Sequence, residues 1–162
     1  MSIRKQAWLD IKKKGFKFFL TGRVGKVRSA GEDSELSFAL RLFGWKIWYD
    51  KRLSLIHDVD QSRLNWAELR KMFKGFGAGR VGHNPYFFAE VEPKLIHHWY
   101  VQVILIFWSI AKDLPLLLKM QLYTIEGEDK VLKMEHKIGQ MQFMLSRRFK
   151  FDFYTNLLRS CR

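Results

Sequence analysis

The run "WYVQVILIFWSIA" at residues 99–111 restricts the possible folds most strongly, because it holds thirteen residues without a single charge. Lys112, Asp113 and Pro115 then interrupt the apolar character. A membrane-spanning helix needs about twenty mostly apolar residues, and each Lys or Asp near its centre costs roughly 2.5–3.5 kcal/mol. The sequence therefore favours a helix that lies in a membrane interface, or a helix packed in a protein core, over a full span.

The chain is strongly basic, with 29 Lys and Arg against 16 Asp and Glu, which gives a net charge of +13 over 162 residues. This excess predicts attraction to an anionic partner such as nucleic acid, anionic lipid or a phosphate-bearing substrate. The hydrophobic fraction of 48% is enough to bury a core. Cys161 is the only cysteine, so an intrachain disulfide is excluded and a reducing, cytosol-facing location fits best.

Helical spacing of apolar residues predicts three further helices. The first covers about residues 33–43 and ends at Gly44, so that Glu32 and Asp33 would lie in its first turn. The second begins near Arg63, and "GFGAGRVGHNP" is expected to end it as a flexible glycine-rich loop. The third is a basic amphipathic helix whose apolar face consists of Val131, Met134, Ile138, Met141 and Leu145.

Two short runs between the first two helices predict brief strands or extended segments. They are "KIWYD" at 46–50 and "LSLIHDV" at 53–59, both rich in β-branched or aromatic residues. Because alternate residues of a strand face opposite sides, at least one of Trp48 and Tyr49 is expected to point into the core. The aromatic run after Gly15 predicts either a strand or a buried loop.

Three acids lie close together at Glu32, Asp33 and Glu35, directly after a segment, residues 1–28, that carries nine cations and one acid. Acids in the first turn of a helix are ordinary, since the helix dipole stabilises them by roughly 0.3–1 kcal/mol. A functional alternative is that Asp33, kept ionised by the helix end and nearby cations, accepts a proton from a substrate hydroxyl.

The order of these features resembles a known enzyme family. The stretch "GEDSELSFALRLFGWKIWYD", followed by "LIHDVDQSRLNW", resembles the C-terminal half of the catalytic domain of inverting family-2 glycosyltransferases of the GT-A fold, over about residues 3–80. The resemblance implies an α/β fold class, the C-terminal half of a Rossmann-like GT-A domain. Residues 1–90 would be the acceptor-side half, and 91–162 an amphipathic helical tail associated with a membrane.

The resemblance also implies roles for individual residues. Asp33 matches the catalytic base, and Glu32 is its neighbour in the motif. His57 matches a position near the metal or the donor diphosphate, although a lone His is more often structural. Arg63, Trp66 and Trp45 are candidates for binding the donor diphosphate or the acceptor; a solvated cation and core aromatics are the ordinary alternatives. The spacing "QSRLNW" departs from the Gln-X-X-Arg-Trp pattern of processive members, which favours transfer of single sugars.

The family's Asp-X-Asp motif, which binds Mg²⁺ or Mn²⁺ on the nucleotide diphosphate, does not precede the Glu-Asp pair. The main metal ligands are therefore expected in a missing N-terminal half, either of a longer chain or on a separate polypeptide, and this chain alone is expected to be incomplete and inactive. In its full context, the resemblance implies transfer of a sugar from a nucleotide-sugar donor to a glycan or lipid-linked acceptor. The setting would be bacterial surface glycan synthesis at the cytoplasmic face of the plasma membrane.

Two alternatives come from other functional classes. The high net charge and the many aromatic residues are typical of a nucleic-acid-binding module, but no binding motif or basic stripe is visible, so nucleic acid is not expected as a partner. A non-catalytic adaptor at an anionic membrane surface is the other alternative.

Overall fold

The computed structural model describes residues 3–20, 23–24, 27–28, 31–56, 58–122 and 126–160. Its helices are α1 (Lys5–Lys13), α2 (Glu32–Leu42), α3 (Trp66–Ala89), α4 (Trp99–Ala111), α5 (Leu114–Leu122) and α6 (Asp129–Ser160). Short 3-10 turns cover Gln61–Arg63 and Leu95–His97. Strands β1 (Arg23–Val24) and β2 (Val27–Arg28) pair antiparallel, with Arg23 opposite Arg28.

The α/β fold class expected from the sequence is wrong. Helices make up 72% of the structure. The β1–β2 ladder is the only strand pairing within the described ranges, so these ranges contain no Rossmann-like sheet. Residues 46–50 and 53–56 form neither helix nor strand, and no described strand pairs with them. Because a strand is stable only when it is paired, the two predicted strands do not form.

Helices α3 and α6 run side by side and form the centre of the fold. Gly77 of α3 and Gly139 of α6 lie where the two backbones are closest. A methyl group at Gly77 would overlap the carbonyl oxygen of His136, and one at Gly139 would overlap the carbonyl oxygen of Lys74. The glycines therefore allow this close approach, which side chains would prevent.

The flexible glycine-rich loop expected at "GFGAGRVGHNP" is consequently wrong, because this stretch lies inside α3. Several of its glycines are buried between helices rather than exposed in a turn, among them Gly77, Gly79 and Gly82. Glycine costs a helix roughly 0.5–1 kcal/mol relative to alanine. Packing of α3 against α6 offsets that cost.

The other helix predictions are confirmed. Helix α2 ends in a Schellman motif, in which Trp45 N–H donates to Leu40 O over 2.9 Å and Gly44 adopts φ +88°. The uncharged run forms α4, and the basic amphipathic run forms α6. The aromatic run after Gly15 is a buried loop, since Phe16, Phe19 and Leu20 all belong to the core.

The core draws on residues on both sides of position 90. It includes Ile11, Leu20, Ala39, Val81, Tyr86, Ile106, Met144, Phe151 and Leu158. Helices α3 and α6 are also joined by an ion pair, in which Arg70 donates to Glu135 Oε1 from Nε (2.9 Å) and Nη2 (2.6 Å).

No single helix in the described ranges is both long and apolar enough to cross a membrane. The two helices Trp99–Ala111 and Leu114–Met120 are long and apolar enough when taken together, but a bend of 73° separates them.

Candidate functional site

The first turn of α2 holds the acidic residues, as expected. Gly31 caps the helix with φ +113°, a left-handed conformation that glycine adopts without strain, and Glu32, Asp33 and Glu35 follow. Glu32 and Asp33 are exposed to solvent. Their negative charges lie at the positive end of the helix dipole, which stabilises them.

Glu35 differs from its two acidic neighbours, because it is fully buried. Its carboxyl group accepts hydrogen bonds from Phe19 N–H at 2.6 Å, Leu20 N–H at 2.9 Å and the Tyr86 hydroxyl at 2.7 Å. Glu35 therefore joins the loop before β1, the start of α2 and the C-terminal end of α3. The two backbone N–H groups would be left without this acceptor if the carboxyl group were removed.

A chain of hydroxyl groups continues from Glu35 into α6. The Tyr86 hydroxyl lies 2.8 Å from the Tyr154 hydroxyl, which donates to Lys17 O over 2.5 Å. Burial of the Glu35 carboxyl raises its pKa more than its hydrogen bonds lower it.

The burial of Glu35 was not predicted from the sequence, although the spacing of the residues around it could have indicated it. Glu35, Ala39 and Leu42 follow at the spacing i, i+4, i+7 and line the buried face of α2. An acid on the apolar face of a helix is a candidate for a buried, hydrogen-bonded group.

A cavity of about 710 Å³ opens beside the start of α2. Its lining residues come from the start of α2, from α3 and from α6: Gly31, Ser34, Phe38, Phe76, Gly79, Arg80, His83, Asn84, Phe87 and His136. Phe38 forms an aromatic wall, with ring centroids 5.0 Å from His83 and 4.9 Å from Phe87. The volume is in the range of sites that bind small molecules.

Apart from Arg80, the polar side chains that line this cavity are Ser34, His83, Asn84 and His136. His83 Nε2 lies 2.9 Å from Gly31 O, and since a carbonyl oxygen only accepts, Nε2 carries the proton. Burial lowers the pKa of His83, which favours the neutral ring and leaves Nδ1 as an acceptor. Burial and the charge of Arg80 lower the pKa of His136 in the same way. The cavity thus combines aromatic walls, neutral imidazoles, an amide and a hydroxyl.

The predicted base lies next to this cavity in the sequence. Gly31 and Ser34 line it, whereas Glu32 and Asp33 point to solvent and do not. The structure therefore places the acidic pair at the helix end beside the cavity rather than on its wall.

The structure does not bring the other predicted residues to this cavity. Trp45 is half-buried against the core, and Arg63 is exposed in the first 3-10 turn. Trp66 is half-buried at the start of α3, and its buried Nε1 has no hydrogen-bond partner among the residues that the structure describes. His57 lies outside the described residues.

The expectation that Trp48 or Tyr49 points inward is wrong, because the two side chains are 88% and 87% exposed. Ile56 is 96% exposed. Alternation places side chains in a core only when a sheet exists to cover one face, and no sheet includes these residues.

The described ranges hold no group of three or more His, Cys, Asp or Glu side chains that could bind a metal ion. His83 and His136 line the cavity, but none of its lining residues is a carboxylate. Mg²⁺ and Mn²⁺ prefer oxygen ligands. These residues therefore do not fit the expected metal, whose main ligands were predicted on the N-terminal half.

Comparisons with protein-family models, curated proteins and solved structures found no match to this chain. Evidence for a function therefore comes from the Glu-Asp motif in the sequence and from the geometry around α2.

Proposed function

We propose that this chain supplies the acceptor side of an inverting glycosyltransferase, with Asp33 as the base. The proposal is supported by the family-2 resemblance around the Glu-Asp pair. One structural observation carries it: the exposed pair occupies the first turn of α2, directly beside a cavity of about 710 Å³. A general base must come within hydrogen-bond reach of the hydroxyl it deprotonates, so the proposal places the acceptor hydroxyl at the edge of the cavity, beside the first turn of α2.

In the proposed reaction, the acceptor oxygen attacks the anomeric carbon of the donor sugar from the face opposite the nucleotide. The new bond joins the acceptor oxygen to that carbon, and the bond to the diphosphate breaks. The hydroxyl proton passes to Asp33, and the nucleoside diphosphate leaves with the bonding electrons. Attack from the opposite face inverts the anomeric configuration.

The buried contacts of Glu35 support this role for Asp33 indirectly. Three hydrogen bonds fix the first turn of α2 to the loop before β1 and to α3. The two exposed acids of that turn are therefore held on a rigid element, and a base must be held at a fixed position to act on a bound hydroxyl.

The cavity suits the acceptor sugar. Phe38 and Phe87 offer apolar faces against which a sugar ring can pack, and His83 Nδ1, Asn84 and Ser34 offer partners for hydroxyl groups. The nucleotide-sugar donor and Mg²⁺ or Mn²⁺ stay assigned to a separate N-terminal half. The membrane-surface location and the lipid-linked or glycan acceptor belong to the same proposal.

The test uses membranes from cells that make the protein, because these contain its acceptors and any separate N-terminal half. Membranes carrying the Asp33→Asn variant are incubated with labelled nucleotide sugars. We expect transfer into glycan or lipid to fall by about 100-fold or more, since the proton acceptor is lost while the shape is kept. Glu92→Gln, which changes another exposed carboxylate, is the matched control. Unchanged transfer in the Asp33→Asn membranes contradicts the proposal.

A further inference from the structure

Helix α4 is uncharged and, apart from Gln102 and Ser109, apolar, but only one side of it faces the core. Its inward face contains Trp99, Val103, Ile106 and Ile110 at the spacing i, i+4, i+7, i+11. A second side contains Tyr100, Ile104, Phe107 and Trp108 at i, i+4, i+7, i+8, and all four side chains are exposed. Phe107 and Trp108 are each 62% exposed. Packing against α6 accounts for the first face and leaves the second uncovered.

The C-terminal part of α6 extends this exposed surface. Leu145, Phe149 and Phe153 recur every four residues and are exposed, Phe149 by 74%. The ring of Phe149 lies 6.3 Å from that of Trp99, which in turn contacts Tyr100 at 6.1 Å. We call the combined surface the α4–α6 apolar face, defined by Tyr100, Ile104, Phe107, Trp108, Leu145, Phe149 and Phe153.

Contiguous exposed apolar surface of this kind is uncommon on soluble monomers and marks an interaction site. Five of its seven side chains are Trp, Tyr or Phe of α4 and α6 with more than two-fifths of their surface exposed. Aromatic side chains are favoured at the level of lipid headgroups, where Trp and Tyr place a ring in apolar surroundings and a polar atom near water.

The charges around this face are positive. Residues 99–119 and 145–153 contain five cations, Lys112, Lys119, Arg147, Arg148 and Lys150, and two acids, Asp113 and Asp152, which leaves +3. Both acids are already bound within the protein. Asp113 accepts from Lys137 Nζ over 2.6 Å, and Asp152 accepts from Trp99 N–H over 3.0 Å. The cations therefore dominate the field next to the apolar face.

We propose that the α4–α6 apolar face docks on an anionic lipid bilayer, with its aromatic side chains at the headgroup level and the flanking cations against lipid phosphates and carboxylates. A second copy of the chain is a poorer occupant, because it would bring the same cations to a face that already carries an excess of them. Each Lys or Arg near an anionic membrane surface contributes about 1 kcal/mol of attraction. The inference goes beyond the proposed transferase activity, since docking needs neither Asp33 nor a donor.

The experiment measures sedimentation of the full chain with vesicles of phosphatidylcholine alone and with added phosphatidylserine. We expect binding to the anionic vesicles that weakens as salt is raised, and much less binding to the neutral ones. The double variant Phe107→Ser/Trp108→Ser is expected to weaken binding by about tenfold or more, because two large apolar side chains no longer leave water.

The matched control is Trp48→Ser/Tyr49→Ser, which removes two aromatic side chains that are also exposed but lie outside the face. It is expected to bind vesicles like the unchanged chain. Melting curves of both variants show whether they fold, and a second variant, Phe149→Ser/Phe153→Ser, repeats the test on α6. Three results each overturn the proposal: no binding to anionic vesicles, equal loss in the control, or a self-associated chain that becomes monomeric when Phe107 and Trp108 are replaced.

Discussion

The Tyr86 hydroxyl lies 2.7 Å from Oε1 of Glu35, and this contact fixes the start of α2 to the C-terminal end of α3. The same carboxyl group holds two backbone N–H groups of the loop before β1. A single buried side chain thus positions the turn that exposes Asp33, which makes Glu35 the natural place to test the architecture of the site.

Replacing Glu35 with Ala is expected to lower the free energy of unfolding by about 3 kcal/mol or more. The change leaves Phe19 N–H and Leu20 N–H without their acceptor, and each unpaired buried group costs about 1–3 kcal/mol. Urea unfolding measures the effect. The matched control Glu32→Ala removes an exposed acid from the same turn and is expected to change stability by about 0.5 kcal/mol or less. Equal effects of the two changes contradict the anchoring role.

The raised pKa of Glu35 predicts a pH dependence of stability. In the unfolded chain Glu35 ionises near its ordinary pKa of 4.5, whereas in the folded chain it keeps its proton to higher pH. Its contribution to stability is therefore fully present below pH 4.5 and is lost as pH rises through the folded pKa. Glu35→Gln cannot titrate, so the free energy of unfolding of the unchanged chain minus that of this variant should fall as pH rises over that interval. A signed difference that rises with pH contradicts the prediction.

Replacing Gly77 with Ala is expected to destabilise the protein by about 1–3 kcal/mol, although the same change normally stabilises a helix. The added methyl group overlaps the carbonyl oxygen of His136 and forces α3 and α6 apart. Thermal unfolding measures the loss. Because Gly139→Ala disturbs the same contact, the double variant should cost less than the sum of the two single variants. Ala67→Ser, at an exposed position of α3, serves as the control.

Saccharide binding in the cavity gives a prediction that does not need the donor. Phe87→Ser removes part of the aromatic wall and is expected to weaken binding of acceptor sugars by about tenfold, as judged by NMR titration. Phe153→Ser, an exposed aromatic residue outside the cavity, should leave binding unchanged. Asp33→Asn is also expected to keep binding, since the base is required for transfer only. Weakened binding in the Phe153→Ser variant contradicts a site in the cavity.

The sequence predicted the helices well because their signal is local. Repeating apolar residues identified α2, the start of α3 and α6, the uncharged run identified α4, and Gly44 marked the end of α2, whereas α1 and α5 were not predicted. The strands could not be predicted reliably, since a run such as 46–50 has β propensity, but its pairing depends on a neighbouring strand elsewhere. The cavity beside α2 also depends on residues far apart in the chain, and so its lining residues were not identified.

Two further differences between prediction and structure have the same origin. Glycines were interpreted as a loop signal, yet at Gly77 the decisive fact is the backbone of a second helix about sixty residues later. Glu35 was grouped with its exposed neighbours because an acid is usually a surface residue. In both cases a tertiary partner, Gly139's helix or Tyr86, overrode the ordinary local preference.

The contact between Gly77 and the backbone at His136, matched by that between Gly139 and Lys74, also has an evolutionary consequence. The distance between α3 and α6 limits the size of the side chain at both positions. A larger residue at either position is tolerated only if that distance increases as well. In homologous chains we therefore expect positions 77 and 139 to covary, either both remaining small or both enlarging together with a wider helix pair. Selection for function would not by itself produce that coupling.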